Sequence, residues 1–191
     1  DPAEAYYNLG SALNYYVFTK PRPYLKKTIM GLLTDGHFCR PIEISKAILS
    51  LLRLEPELAK ILNQYTPRLL APENDRLVLK LAKEKLLIKL MSIGGIPDLK
   101  FEALLVSIRA NLLFGQSEIK ESERLLEFQS ALALQCFFNE YLYPTEEDER
   151  EALNLLEEEV SSNLLEGQQP IPSKILCLAS YKPLYKCDWH E

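Results

Sequence analysis

Apolar residues recur along this chain at spacings of three and four, with no sustained alternation of the kind a strand shows. The pattern predicts an all-α fold, an irregular domain of about nine helices. The first helix runs from Pro2 to Phe18, opened by Asp1 as a cap and Pro2 in the first turn, and broken by TKPRP at 19–23. A second covers Tyr24 to Leu33 and stops at Asp35-Gly36. A third starts near Pro41 and puts Ile44, Ile48, Leu51 and Leu52 on one face; Pro56 to Gln64 forms a short fourth. A long fifth spans Asn74 to Met91, with Leu77, Leu81 and Leu87 inward, Lys80, Lys83, Lys85 and Lys89 largely outward, and Gly94-Gly95 as its stop. Pro97-Asp98 opens a sixth that ends at Gly115. A seventh, central helix runs from Ser122 to Tyr143. An eighth begins at Pro144-Thr145, where Thr145 and Asp148 have the spacing of a capping box, and a last helix lies between Pro172 and Tyr181.

The central helix contains the most informative stretch, LALQCFFNEYLY at 132–143. It is apolar almost all the way round yet carries Gln135, Asn139 and Glu140, with hydroxyls on Tyr141 and Tyr143. A helix apolar on every side is normally buried, and buried polar groups need partners, since one left unpaired costs about 1–3 kcal/mol. Gln135 and Asn139, four apart, share a helix face. Gln135, Asn139, Glu140, Tyr141 and Tyr143 therefore form the candidate polar cluster. It is either a structural network tying the hub helix to a neighbouring loop or a docking surface for a peptide or a further domain.

Composition bounds the rest. The chain has 191 residues, 47% hydrophobic and 26% charged, ordinary values for a globular domain with a real core. No apolar run reaches the roughly 18 residues of a membrane span, and the start, DPAEAYYNLGSAL, is amphipathic without the basic segment of a signal peptide. These features, with four widely spaced cysteines (Cys39, Cys136, Cys177 and Cys187) that read as reduced thiols, predict a cytoplasmic protein. The missing initiator Met suggests a piece of a longer chain. Residues 1–100 hold 15 Lys and Arg against 10 Asp and Glu, and residues 101–191 hold 7 against 17. The halves thus carry net charges of +5 and −10, a polarity that can orient a partner or simply leave solvated helix faces.

Catalytic and metal-binding signatures are weak. The run Glu146, Glu147, Asp148, Glu149 and Glu151 crowds a first helical turn, where carboxylates complement the helix dipole in water, and Glu157 to Glu159 reads as a solvated face. His37 with Cys39, and Cys187 with His190, lack the second pair that zinc needs. No Ser-His-Asp or Cys-His set stands out. Lys20, Arg22, Lys26 and Lys27 cluster with Tyr24, but a pI near 5.3 argues against a nucleic-acid binder.

Two resemblances give the chain a context. Tyr6, Asn8, Leu9, Gly10, Ser11, Ala12 and Leu13 resemble the first helix of a tetratricopeptide repeat, in which the glycine admits a close second helix. TKPRP interrupts the pattern and no second copy follows at a period of about 34 residues, so residues 1–20 resemble the end of an array. PDLKFEALLVSIRANLL at 97–113, EFQSALALQCFFNEYLYPTEEDE at 127–149 and ILCLASYKPLYKC at 175–187 together resemble the helical region of bacterial tetratricopeptide-repeat SAM-dependent methyltransferases, between the repeats and the C-terminal catalytic domain. The resemblance implies a non-catalytic accessory domain spanning 1–191 that positions the catalytic domain or its protein substrate. The loop 164–172 would then be the boundary towards that domain. SAM is implied for the full-length protein and not for this region: MSIGGIP at 91–97 follows a helix and reads as a helix stop, not a cofactor loop. The expected partner is protein, with no nucleic acid or membrane. The alternative is a stand-alone tetratricopeptide-like interaction module.

Overall fold

Prolines, glycines and capping residues punctuate the chain, and most of the expected turns fall there in the computed structural model, which describes residues 8, 11, 12, 15, 22–34, 42–63, 78–115 and 122–187. Every regular element among the described residues is helical, and the fold is all-α. The helices are α1 (Arg22–Thr34), α2 (Ile42–Arg53), α3 (Pro56–Asn63), α4 (Lys85–Ile93), α5 (Leu99–Phe114), α6 (Glu123–Phe138), α7 (Glu147–Leu165) and α8 (Pro172–Ala179). A 3-10 turn, Leu184–Lys186, follows α8. The expected helix at Pro2–Phe18, the tetratricopeptide-like signature, Leu77, His37, Cys39 and His190 lie wholly or mostly outside the described residues.

Two cores organise the helices. In the first, Leu25, Ile29 and Leu33 of α1 and Ile44, Ile48, Leu51 and Leu52 of α2 are buried at the three- and four-residue spacing of a single helix face. They join Leu86, Leu87, Leu90 and Met91 of α4 and Leu125, Phe128 and Leu132 of α6. The second core is small: Leu113 of α5, Leu156 and Val160 of α7, Cys177 and Leu178 of α8, and Tyr181. Helix α6 packs against α4 on one side and α8 on another, the hub position expected of it. Helices α5 and α7 also meet, with α8 against both. The 164–172 segment links α7 to α8, and α8 folds back onto α6.

The capping chemistry is largely where the sequence places it. Asp98 caps α5, its Oδ1 accepting from the Phe101 N–H at 2.9 Å, and Ser122 caps α6, its Oγ accepting from Leu125 N–H at 3.3 Å. Burial pushes the Asp98 carboxyl up, but the Phe101 N–H and the Arg53 guanidinium at 3.1 Å outweigh it and hold it below the usual carboxylate range.

Three boundaries differ from expectation. The expected fifth helix is interrupted: 78–81 is helical, the chain turns at 82–84, and α4 restarts at Lys85. Buried Val78, Leu81 and Ala82 continue in helical spacing to Leu86 and Leu87, so the apolar pattern runs through the break without a mark. Glu84, at the break, pairs with Lys26 at 3.0 Å, and Lys26 also binds Glu55. The second difference is in the central helix, which stops at Phe138 instead of Tyr143. There the Glu140 N–H donates to Phe137 O at 2.9 Å and the Tyr141 N–H to Cys136 O at 2.8 Å, the paired bonds of a Schellman stop. The residue that such a stop places in left-handed backbone is usually glycine; here Glu140 has φ 52° and Tyr141 follows at φ 59°. Helix α7 ends the same way with Gly167 at φ 71°. The third concerns the next helix start: α7 begins at Glu147, with the Glu149 carboxylate accepting from the Glu146 N–H at 2.9 Å, so the box joins Glu146 and Glu149 and not Thr145 and Asp148. Thr145 is engaged elsewhere, its hydroxyl facing Arg109.

Candidate functional site

The polar residues of LALQCFFNEYLY separate into different environments. Gln135, on the last turn of α6, is buried and fully engaged with backbone at the end of α4 and just after it. Its Nε2 donates to Met91 O at 2.6 Å and Gly94 O at 2.7 Å, and its Oε1 accepts from the Ile96 N–H at 3.2 Å. One side chain thus satisfies three groups left over at a helix end, where the orphan carbonyls and the following turn need partners. Asn139 is not on the helix face but at its C-cap, on the same wall as Tyr143. Glu140 is exposed and Tyr141 half-buried, its ring 6.5 Å edge-on from Phe137. Tyr143 is buried. Burial pushes its hydroxyl well above the ordinary tyrosine range, Cys136 and Glu102 adding to the effect, with Arg109 and Asn139 opposing it. Gln135, Asn139 and Tyr143 therefore stay together along one wall, whereas Glu140 turns away.

A second buried polar group was not anticipated from the sequence. Arg109, in the middle of α5, is 1% exposed, and Glu149, in the first turn of α7, is 2% exposed. Arg109 Nη2 donates to Pro144 O at 2.7 Å and Thr145 Oγ1 at 3.3 Å, and lies 3.7 Å from Glu149 Oε1. The Tyr181 hydroxyl donates to that same carboxylate oxygen at 2.7 Å, while its ring covers the guanidinium at 4.1 Å. Arg109 Nε has no hydrogen-bond partner among the described residues. Burial raises the Tyr181 hydroxyl; Arg109 pulls the other way and the Glu149 bond adds to the rise. Burial also pushes the nearby Cys136 thiol up to about 11 against the opposing pull of Arg109, which keeps it a protonated, inert thiol. Glu149 thus departs from its expected place on a solvated face. The signal was present: 149, 153, 156 and 160 follow the four-three-four spacing of a buried stripe, and Leu156 and Val160 are buried with it. Arg109 sits between Ile108 and Ala110 in a helix apolar on most sides, the pattern that flagged Gln135.

In front of this network lies a cleft of about 310 Å³, between one face of α5 and the segment leading into α7. Its α5 wall is Leu99, Glu102, Ala103, Val106, Ser107 and Ala110; Tyr143, Pro144, Glu146 and Glu149 form the other side. A second hollow of about 200 Å³ shares Glu102 and Tyr143 and extends past Asn139, Gln135 and Phe138 to Gly95–Pro97. Glu102 and Tyr143 thus face both hollows. Large apolar side chains stand open on their walls: Leu99 in the first is 84% exposed and Phe138 in the second 39%. Phe137 stacks edge-on against Phe138 at 6.0 Å.

Among the described residues, no group of three or more His, Cys, Asp and Glu is placed to hold a metal ion, and no helix is long and apolar enough to cross a membrane. Cys136, Cys177 and Cys187 are buried and form no disulfide. No protein-family model matches the chain, and neither a curated protein nor a solved structure does so.

Proposed function

We propose that this domain is a non-catalytic helical binding module that seats a protein segment in the cleft along α5. The observation that carries the reading is the pair of hollows that share Glu102 and Tyr143, with exposed Leu99 on the wall of one and exposed Phe138 on the wall of the other. Apolar side chains open to water around a concave surface are the usual mark of an interaction site. The polar groups behind the hollow are already committed to the fold: Gln135 to three backbone groups, and Tyr181 and Arg109 to Glu149. That arrangement supplies a stiff wall for binding rather than a poised acid, base or nucleophile.

The resemblance of the stretches at 97–113, 127–149 and 175–187 extends the proposal. In a bacterial, cytoplasmic SAM-dependent methyltransferase with tetratricopeptide repeats, the seated segment would come from the catalytic domain or from its protein substrate, with SAM held elsewhere. Alternatively, the module works alone.

Panning a random peptide library on the chain, followed by NMR shift mapping of the selected peptides, tests the binding reading. Shifts are expected at Leu99, Ala103, Val106, Phe138 and Tyr143. Peptides that shift other surfaces, or none retained, would overturn it, and calorimetric binding of SAM to this chain would overturn the non-catalytic assignment.

A further inference from the structure

We infer that the segment seated in the cleft is a cationic amphipathic helix, its lysine or arginine side chains meeting Glu102 and its apolar side chains lying along α5. The inference rests on the binding-module reading and adds the chemistry of the partner.

Shape is the first argument. The α5 residues that line the cleft are 99, 102, 103, 106, 107 and 110, successive steps of three, one, three, one and three. They are one face of a single helix over three turns, roughly 16 Å at 1.5 Å per residue. Other helices cover the remaining faces: Phe101, Leu105, Ile108, Arg109 and Leu112 are buried. The middle of the open face holds Ala103 and Ser107, small side chains that let another helix axis come close, beside Val106, while Leu99 at its end offers a large apolar contact. A small ligand would occupy the hollow but leave Leu99 largely in water; a helix laid along α5 covers the hollow and reaches Leu99 at its end.

Charge is the second argument and is independent of shape. The ionisable side chains lining the two hollows are the carboxylates Glu102, Glu146 and Glu149 and the phenol of Tyr143; no Lys, Arg or His lines either hollow. Glu149 is matched by Arg109 behind the wall. Glu102, half-buried and facing both hollows, stands beside the high-pKa hydroxyl of Tyr143. The surrounding half of the chain, residues 101–191, carries a net charge of −10. Covering Glu102 with an acidic or neutral surface would strip it of water without replacement, whereas Lys or Arg supplies a partner and the long-range attraction.

The test uses the whole chain and two synthetic helical peptides of one apolar pattern, one of Leu and Lys and one of Leu and Glu, followed by fluorescence anisotropy and NMR. The Lys peptide is expected to bind with shifts along Leu99 to Ala110 and to weaken as salt rises; the Glu peptide is expected not to bind. Glu102→Gln should weaken the Lys peptide about fivefold and flatten the salt dependence, the effect of one rim charge. Glu158→Gln, on exposed α7 surface away from the cleft, should leave binding unchanged. Ala103→Trp, checked for an unaltered melting temperature, should block the cleft; if it fails to fold, Glu102→Gln still decides. Equal binding of the two peptides, an unaffected Glu102→Gln variant, or an equal loss in Glu158→Gln would overturn the inference. So would a dimer dissolved by Glu102→Gln, which would make the occupant a second copy of the chain. If panned peptides seat in the cleft but are acidic or neutral, the cationic partner is wrong and the binding module stands; if nothing seats there, both fall.

Discussion

Where α4 meets α6, the contact is built from buried side chains such as Leu87, Leu90, Met91, Phe128 and Leu132, and Gln135 there bonds backbone. Where α7 and α8 close over α5, the largest buried side chain is an arginine. The difference follows from what the helices bring. Helix α7, EDEREALNLLEEEVSSNLL, buries Leu156 and Val160 but little else that is apolar. At about 1.5–3 kcal/mol for each fully buried aliphatic side chain, these two do little against the entropy of ordering a long helix. The Arg109–Glu149–Tyr181 contact supplies direction instead, linking α5, α7 and the chain after α8 at one point. Apolar area holds the first region and geometry positions the second.

The sharpest way to break this contrast is Arg109→Met. Glu149 then keeps a buried charge with its cationic partner gone, and Pro144 O loses its donor; a loss of about 4 kcal/mol is expected in urea unfolding. Adding Glu149→Leu removes the stranded charge and should recover part of it, the Tyr181 hydroxyl, the Glu146 N–H and Pro144 O still lacking their partners. A double variant as unstable as the single one would show that the pair itself stabilises. In the first region, Leu87→Ala should cost about 3 kcal/mol, with no second substitution nearby that restores it. Gln135→Leu keeps apolar bulk but strands the Ile96 N–H and the Met91 and Gly94 carbonyls; a loss of about 2 kcal/mol is expected in calorimetry. Glu140→Gly should stabilise by about 0.5–1 kcal/mol, since glycine accepts φ 52° without strain, and an unchanged or lower melting temperature would count against the strained stop.

The smallest effect expected is that of Asp98→Asn, which keeps a cap but loses the charge facing Arg53: about 0.5 kcal/mol at neutral pH. The Asp98 carboxyl is held below its ordinary range in the fold, so its ionised form stabilises above the unfolded-state pKa. That contribution fades as pH falls through the lowered folded value, and wild type and variant should converge in acid. A gap that widens in acid would reverse the sign.

Helix identity was legible because Leu, Ile and Val spacing reports burial directly, and Asp98, Ser122, Pro172 and Gly115 mark ends by local chemistry. The end of α6 was hidden because the stop uses Glu140 in place of glycine, so nothing in FFNEYLY announces it. The break before α4 was hidden because the apolar register continues across it. Of the candidate site, Gln135 was readable as a polar residue on an apolar cylinder, and its network with a neighbouring loop followed from the need to satisfy it. Arg109 and Glu149 were not read, because an acidic run looks solvated unless Glu149 is set in the stripe with Leu156 and Val160. The cleft could not be read at all: its two sides, Leu99–Ala110 and Tyr143–Glu149, are far apart in sequence and meet only through packing.

The bend at Asn139–Pro144 is also held at both ends. Behind it, the Tyr141 N–H closes the end of α6 on Cys136 O. Ahead of it, Pro144 O and Thr145 Oγ1 accept from Arg109 just before α7 begins, and Glu149 in the first turn of α7 faces the same guanidinium. The connection is therefore a short tether between two anchors. It delivers the start of α7 to Arg109 before any apolar contact of that helix is made.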